Sequence, residues 1–227
     1  NEHPLFDWGP YLEESDTADF KIAQEAVRLM RVAATKDRPF FLSIGFIRPH
    51  CPLYAPREWF DLHPVRSEDS GPRFEDEPGK VGPYALKLVN YEQQQPFNRW
   101  LLEDGRASEF RRSYRACVSF VDHCLGLVLE SLKSMGLADN TIVVVWSDNG
   151  VQNGQRNLWW KRTLWEASTR VPLLIKVPGV PARRIECPVG LIDLYPTLCD
   201  LAGLPRPKDL DGVSLDAQIW DRIEVRY

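Results

Sequence analysis

The sequence predicts an α/β fold with a mainly parallel central sheet flanked by helices. Short apolar, β-branched runs that end at turn residues, at 142–146 and 171–177, indicate the strands. Such continuous runs are typical of strands buried on both faces of a parallel sheet. Apolar residues that recur at helical spacing over 17–36 and 107–135 indicate the helices. The 227 residues are enough for one large domain with a substantial core, so we predict a single domain over 1–227.

The first periodic segment predicts a helix from Thr17 to about Lys36. Asp16 or Thr17 is the expected N-cap, because a short polar side chain can accept a hydrogen bond from an amide of the first turn. We expect this helix to pack on the sheet and to carry no catalytic residue. Its apolar face consists of Phe20, Ala23, Val27, Met30 and Ala34.

The apolar stretch 40–46 predicts another buried strand, which prolines at 49 and 52 bring to an end. His50 therefore lies at a predicted strand end. An imidazole there is suited to proton transfer, because its pKa is close to neutrality and nearby charges can tune it. The alternative is a histidine that only caps a turn.

Residues 65–105 are polar and rich in proline, glycine and acidic residues, and they predict a loop-rich insertion within the domain. Long functional loops often determine substrate selectivity. The longest helical pattern follows at 107–135, and Gly136 is well placed to end that helix. Asp122 and His123 lie in the middle of this helix, where we interpret them as polar residues at the surface or core edge.

The segment 142–161 carries the clearest chemistry. Asp148 and Asn149 follow a predicted strand directly, at the edge of a sheet where ligands bind in open α/β folds. Carboxylate and amide oxygens are ligands for a hard cation. Lys161 adds a compact cation thirteen positions after Asp148. Together they suggest a site for a charged oxyanion ester, although a simple turn and a solvated lysine would give the same spacing.

Composition excludes several other classes of protein. The net charge is −4 and the sequence pI is about 5.7, so a basic nucleic-acid-binding surface is not indicated. No apolar run approaches the length of a membrane span. The five cysteines show no zinc-ligand spacing, and their odd number gives no disulfide framework. Cys117 and Cys124 are seven residues apart, on one face of the predicted helix, and we expect them in the core.

Several motifs together resemble the sulfatase family, within the alkaline-phosphatase-like superfamily. They are closest to the motifs of iduronate-2-sulfatase and choline-sulfatase-like enzymes, and the resemblance covers roughly Pro39 to Leu215. The motifs are Phe40-Phe-Leu-Ser-Ile-Gly-Phe46 with Arg48-Pro49-His50, Ser147-Asp148-Asn149-Gly150, Trp159-Trp160-Lys161, Val171-Pro172, Asp193-Leu-Tyr-Pro-Thr-Leu-Cys-Asp-Leu-Ala-Gly203 and Leu210-Asp-Gly-Val-Ser-Leu215.

The resemblance implies roles for four residues. Asp148 and Asn149 would be ligands of a divalent cation, usually Ca²⁺, with Mg²⁺ as the alternative. Lys161 would contact the sulfate oxygens. His50 would lie against the sulfate ester and protonate the leaving oxygen, so that His50 and Lys161 are both the catalytic and the substrate-binding candidates. Many relatives carry Glu-His where this chain has Gln155-Arg156.

Two family motifs do not occur in this sequence. Family members carry an Asp-Asp metal pair and a Cys/Ser-x-Pro-Ser-Arg motif, whose first residue becomes the nucleophile formylglycine. The 227 residues contain neither motif, and the small C-terminal antiparallel sheet of the family also has no counterpart. We therefore expect a partial sulfatase domain that lacks the N-terminal strands and C-terminal subdomain. The missing N-terminal segment would be its partner, and the isolated chain should be inactive.

The resemblance favours a sulfuric ester hydrolase that acts on a sulfated carbohydrate or a small sulfate ester. Two alternatives stay open. One is a phosphomonoester or phosphonate hydrolase of the same superfamily. The other is a non-catalytic member with a glycan-binding or structural role. The resemblance also implies a periplasmic, extracellular or lysosomal protein, and no nucleic-acid partner or membrane span is expected.

Overall fold

The computed structural model describes residues 7–10, 13–66, 82–88, 91–103, 105–156, 158–159 and 161–220, and for 91–95 only the backbone. Its residues group into two compact units, one of 1–140 with 144–174 and one of 141–143 with 175–227. The strands are β1 (Trp8–Pro10), β2 (Leu53–Ala55), β3 (Val143–Trp146) and β4 (Leu173–Lys176). The α-helices are α1 (Ala18–Ala34), α2 (Arg57–Asp61), α3 (Pro83–Leu88), α4 (Tyr91–Leu102), α5 (Arg106–Ser134), α6 (Glu166–Thr169), α7 (Leu194–Leu201) and α8 (Asp216–Ile219). Short 3₁₀ turns lie at Glu14–Asp16, Ala138–Asn140 and Leu191–Asp193.

Helix α5 is the centre of the first unit. It packs against α1, α2, α4 and strand β2. Its buried face includes Ala116, Cys117, Phe120 and Cys124, each fully shielded from solvent, which confirms that the two cysteines belong to the core. The helix ends shortly before Gly136, whose φ of 70° is a conformation that glycine adopts readily. Among the residues described, no helix is long and apolar enough to cross a membrane.

Helix α1 begins as the sequence predicts. The Thr17 side chain accepts a hydrogen bond from the Phe20 amide at 3.2 Å, so Thr17 is the N-cap. Asp19, in the first turn, is 2% exposed and accepts a hydrogen bond from the amide of Ile47. This contact anchors the end of the segment that leads to His50 on the first turn of α1.

The fold class is α/β, as predicted. Strands β1 and β2 pair in parallel, with Trp8 opposite Leu53 and Pro10 opposite Ala55. Strands β3 and β4 form a second two-stranded sheet. The two strands predicted at 142–146 and 171–177 are therefore present, as β3 and β4, and they are neighbours.

Two expectations about strands are wrong. Residues 40–46 are not part of a sheet, although their exposure alternates residue by residue and Phe41 is 85% exposed. An extended segment counts as a strand only when its backbone pairs with a neighbour, and none of the described residues supplies that neighbour. Strand β3 is not fully buried either, since its burial is intermediate and Trp146 is 47% exposed.

The predicted insertion at 65–105 contains helices α3 and α4 in its described parts, while residues 67–81, 89–90 and 104 lie outside the described residues. The division into one domain with this insertion stays a prediction. Helix α4 contributes to the core of the first unit, where Leu101 is fully buried and Phe97 is 7% exposed.

The second unit contains helix α7, which covers most of the Asp193–Gly203 motif. The carboxylate of Asp193 accepts hydrogen bonds from the amides of Gly190 and Val213, both at 2.8 Å. Thr197, fully buried, accepts one from the Leu215 amide at 2.9 Å. The two sequence motifs of this unit thus hold each other in place.

Candidate functional site

The predicted cation ligands lie in a short turn directly after β3. The Ser147 hydroxyl donates to the Asn149 carbonyl at 2.8 Å, which closes the turn. The Asn149 amide nitrogen donates to the Asp148 carboxylate at 2.6 Å. Asp148 is exposed and Asn149 is half-buried. The structure therefore brings these two side chains into contact, at the end of a strand as predicted.

Gly150 fixes this turn against the segment around α6. Its amide donates to the Ser168 carbonyl at 2.9 Å. A Cβ on Gly150 would lie 2.2 Å from the carbonyl oxygen of Ala167, closer than any real side chain allows. The glycine of the Ser-Asp-Asn-Gly motif is thus required by the close approach of two backbone segments.

A cluster of buried polar side chains supports the contact between this turn and the segment around α6. The Thr163 hydroxyl lies 2.9 Å from the Ser168 hydroxyl and 3.4 Å from the side-chain oxygen of Gln152. Gln152 is fully buried, and Thr163 and Ser168 are 8% and 4% exposed. The Thr163 hydroxyl thus links Gln152, in the loop after Asn149, to Ser168, in the segment after Lys161.

His50 follows the extended segment 40–46 in a turn, not a paired strand. Its Nδ1 lies 2.7 Å from the Cys51 carbonyl oxygen. A carbonyl only accepts, so Nδ1 carries a proton in this contact, and Nε2 is the nitrogen that can exchange a proton with a ligand. The side chain is exposed.

Arg48 holds the turn around His50. Its Nε donates to the Tyr54 carbonyl at 2.8 Å, and one terminal nitrogen lies 3.5 Å from the His50 carbonyl. Cys117 of α5 donates to the same Tyr54 carbonyl at 3.6 Å. The histidine is therefore carried by a loop that is attached to the central helix.

The positive charge of Lys161 acts on the thiol of Cys51, the residue that follows His50. Burial raises the pKa of the Cys51 thiol to about 11, while the positive charges of Arg48 and Lys161 act in the opposite direction.

The implied cation can be tested against the donors present. Carboxylate and amide oxygens suit a hard cation, so Asp148 and Asn149 fit in kind. Ca²⁺ takes about six to eight oxygen ligands, and the described part of the chain has no group of three or more His, Cys, Asp or Glu residues that could hold a metal ion. The two residues would therefore form part of a cation site, and their role as ligands stays a prediction.

Two further histidines lie outside this site. Nε2 of His63 is 2.8 Å from the Ser119 hydroxyl, and burial together with nearby arginines lowers the pKa of His63. His123 is 3.2 Å from the Glu14 carboxylate and lies against the Trp59 ring, with centroids 5.0 Å apart. Both contacts agree with packing roles.

Sequence reasoning missed the residues that hold the site together. Arg48 was visible only as part of the Arg-Pro-His motif, and Gly150 only as a turn residue. Arg111 of α5 carried a weaker signal, since it lies four positions after Ala107 and one after Phe110, in a stretch that faces the core. Its contacts with the loop after Asn149 are described below.

Comparison with known proteins gives a consistent result. The family model described as Sulfatase matches residues 6–204. A sulfatase from Formosa agariphila is 41% identical over 201 residues, which are 87% of this chain and 39% of that protein. Iduronate 2-sulfatase from Mus musculus is 32% identical over 228 residues, covering 86% of this chain and 41% of that protein.

A solved structure shows the same fold. The phosphonate monoester hydrolase SpPMH from Silicibacter pomeroyi aligns with a TM-score of 0.77 at 23% identity, over 100% of this chain and 48% of that chain. This likeness concerns the fold alone. The chain spans about two fifths of the length of the two curated relatives above.

Proposed function

Because this chain belongs to the sulfatase family, we propose that the protein carrying it hydrolyses sulfuric esters, with a sulfated carbohydrate or a small sulfate ester as substrate. The observation that best supports the proposal is the exposed imidazole of His50, whose Nδ1 is engaged by the Cys51 carbonyl. An imidazole with one nitrogen engaged can donate a proton from the other, and an ammonium group such as that of Lys161 can bind a sulfate.

We assign His50 the role of general acid. Its Nδ1–H is held by the Cys51 carbonyl at 2.7 Å, which fixes the plane and tautomer of the ring. In its protonated form Nε2 can donate to the ester oxygen as the S–O bond breaks, so that the alcohol leaves neutral. This assignment requires the leaving oxygen to lie within hydrogen-bond reach of Nε2.

We assign Lys161 the binding of the sulfate oxygens. An ammonium group is a compact point charge with three donors, suited to an anion whose charge shifts during the reaction. The lysine is half-buried, so its charge is less screened than that of a fully exposed residue.

Asp148 and Asn149 would contribute ligands to the divalent cation, Ca²⁺ or Mg²⁺. Bound there, a cation would polarise the sulfate group and neutralise its charge. The nucleophile expected from the resemblance is a formylglycine, and no motif for it occurs in these residues. The residues proposed here would supply acid catalysis and anion binding, and the proposal assigns no residue to the attack on sulfur.

Iduronate 2-sulfatase bears the name of a sugar acid, which supports a sulfated carbohydrate as the substrate class. We propose no individual sugar, because the described residues of 65–105, where selectivity is expected, carry no pattern specific for one.

The test compares turnover of an aryl sulfate, an aryl phosphate and an aryl phosphonate monoester by the protein as its gene encodes it. We expect the sulfate to be preferred, and His50→Gln and Lys161→Gln each to lower kcat/KM at least about 100-fold. His63→Gln is the matched control, because this histidine bonds to Ser119 away from the site, and it should retain activity within about twofold.

Preference for the phosphonate monoester would overturn the sulfate assignment in favour of the alternative, a phosphonate hydrolase of the same superfamily. The Silicibacter pomeroyi enzyme shares the fold of this chain. No turnover of any ester, with a folded protein, would favour a non-catalytic glycan-binding or structural role. Equal losses in His50→Gln and His63→Gln would refute the role given to His50.

A further inference from the structure

We infer that Arg111 is a positioning residue for the site, holding the loop that joins the predicted cation ligands to Lys161. The inference deepens the proposed function, and the predicted effect of Arg111 on catalysis rests on that function. Arg111 lies in α5, forty-two residues before the backbone group that it contacts. Its described contacts are with the loop. Its effect on the predicted site residues would pass through the loop backbone.

Arg111 is a buried cation inserted under this loop. Its residue surface is only 3% exposed. Its Nε donates to the Asn153 carbonyl at 2.8 Å, and its guanidinium lies over the ring of Trp159 with 4.5 Å to the centroid. The hydrogen bond from Nε and the stacking on the ring together join the side chain to both arms of the loop.

Gly154 makes room for this arrangement. Its φ is +100°, and a Cβ there would lie 2.1 Å from a terminal nitrogen of Arg111 and 3.1 Å from the Trp159 ring. The loop backbone therefore lies directly on the guanidinium. Only glycine combines that backbone conformation with so close a contact.

Hydrogen bonds join the described residues of the loop to one another around this contact. The Gly154 amide donates to the Leu158 carbonyl, and the Leu158 amide donates to the Gln155 carbonyl, both at 2.9 Å. Trp159 packs edge-on against Phe110 of α5, with ring centroids 5.7 Å apart. Lys161 follows Trp159 by two positions, so a displacement of Trp159 would be passed on to Lys161.

The guanidinium is required and a positive charge alone is not sufficient. A planar guanidinium can stack on a ring while its edge donates to a carbonyl, whereas an ammonium group does one or the other. Arg111→Lys is therefore the informative change, because it retains the charge and most of the side-chain length.

The neighbouring Arg112 provides the matched control. Its Nε donates to the His63 carbonyl at 2.7 Å, and its guanidinium lies over the Phe60 ring at 5.6 Å. It thus makes the same two kinds of contact on a segment that carries no predicted site residue. Arg112→Lys should reproduce the general cost of the substitution without the loss at the site.

The experiment measures hydrogen exchange and kinetics in Arg111→Lys, Arg112→Lys and the wild-type protein as its gene encodes it. In Arg111→Lys we expect the amides of Gly154 and Leu158 to exchange at least about tenfold faster, while amides in the middle of α5 keep their protection. For an aryl sulfate we expect kcat to fall about 10- to 100-fold with KM changed less than about threefold, because orientation is lost more than binding.

Unchanged exchange at Gly154 and Leu158 in Arg111→Lys would overturn the inference, as would equal changes in Arg112→Lys. Faster exchange without the selective fall in kcat would reduce Arg111 to a structural residue and also overturn it. If the wild-type protein hydrolyses no ester, the proposed function fails, and the exchange measurement still decides whether Arg111 holds the loop.

Discussion

Replacement of Gly150 by alanine tests the link between the Ser-Asp-Asn-Gly turn and the segment around α6. The new Cβ would lie 2.2 Å from the Ala167 carbonyl oxygen and 3.2 Å from that of Arg170. Ordinary contacts between such atoms are about 3.5 Å. Both neighbours are backbone atoms, so the two segments would have to move apart by about 1 Å.

The expected cost follows from what that movement breaks. The hydrogen bond from the Gly150 amide to Ser168 is 2.9 Å long and would be lost. Leaving such groups buried without a partner costs about 1–3 kcal/mol, and the strain of overpacking adds about 1–3 kcal/mol. Alanine also lowers the conformational entropy of the unfolded chain, which offsets about 0.4–1 kcal/mol of this cost. We expect a net loss of about 2–4 kcal/mol in the free energy of unfolding.

Urea unfolding of the protein as its gene encodes it measures this loss, provided that the slope of free energy against urea stays constant. Gly126→Ala is the control, because Gly126 lies in α5 and a Cβ there would meet no neighbouring atom within 4 Å. That substitution should stabilise the protein by about 0.5–1 kcal/mol. A loss below about 1 kcal/mol in Gly150→Ala would show that the segments can separate freely, and the reasoning would be wrong.

Two further predictions concern titratable groups. Burial lowers the pKa of His63 below its ordinary 6.5, so as the pH falls this histidine is protonated in the unfolded chain before it is protonated in the folded one. The free energy of unfolding should therefore fall as the pH drops below 6.5. Urea unfolding of His63→Gln should show a smaller decrease over the same pH range. Alkylation of Cys51 by iodoacetamide should be slow at neutral pH, because its pKa is about 11 and only the thiolate reacts. Removing the positive charge in Lys161→Gln should slow it further, as measured by mass spectrometry of the Cys51 peptide.

The predictions for His63 and Cys51 each have a control. For His63, wild type and variant should have the same pH dependence well above 6.5, where the imidazole is neutral in both states; parallel curves below that pH would contradict the prediction. For Cys51, the alkylation rate of Cys187 serves as the internal reference. An unchanged ratio of the two alkylation rates in Lys161→Gln would mean that the Lys161 charge does not act on the Cys51 thiol.

Helices α1 and α5 could be predicted from the sequence because their signals are local. Thr17 caps α1 and Gly136 follows α5 where the spacing of apolar residues ends. Strand pairing is not local. The apolar run 40–46 gives no sheet, because whether such a run joins one depends on a neighbour distant in sequence.

The same distinction applies to the candidate site. Asp148, Asn149 and Lys161 could be proposed as site residues because they lie in short local motifs that resemble those of a known family. Arg111 was missed because its contact with the Asn153 carbonyl spans forty-two residues. In sequence it is one of several arginines near the start of a helix, and only burial distinguishes it.

The central helix has a consequence for how the site tolerates change. Arg111 contacts the loop between Asn149 and Lys161, and Cys117 contacts the carbonyl of Tyr54 beside the His50 loop. These anchor points are six residues apart, which corresponds to about 9 Å along an α-helix. The distance between the two loops is thus encoded in the register of α5. Inserting one residue between the anchors would turn one by about 100° relative to the other, so this stretch of helix should not tolerate a change in length.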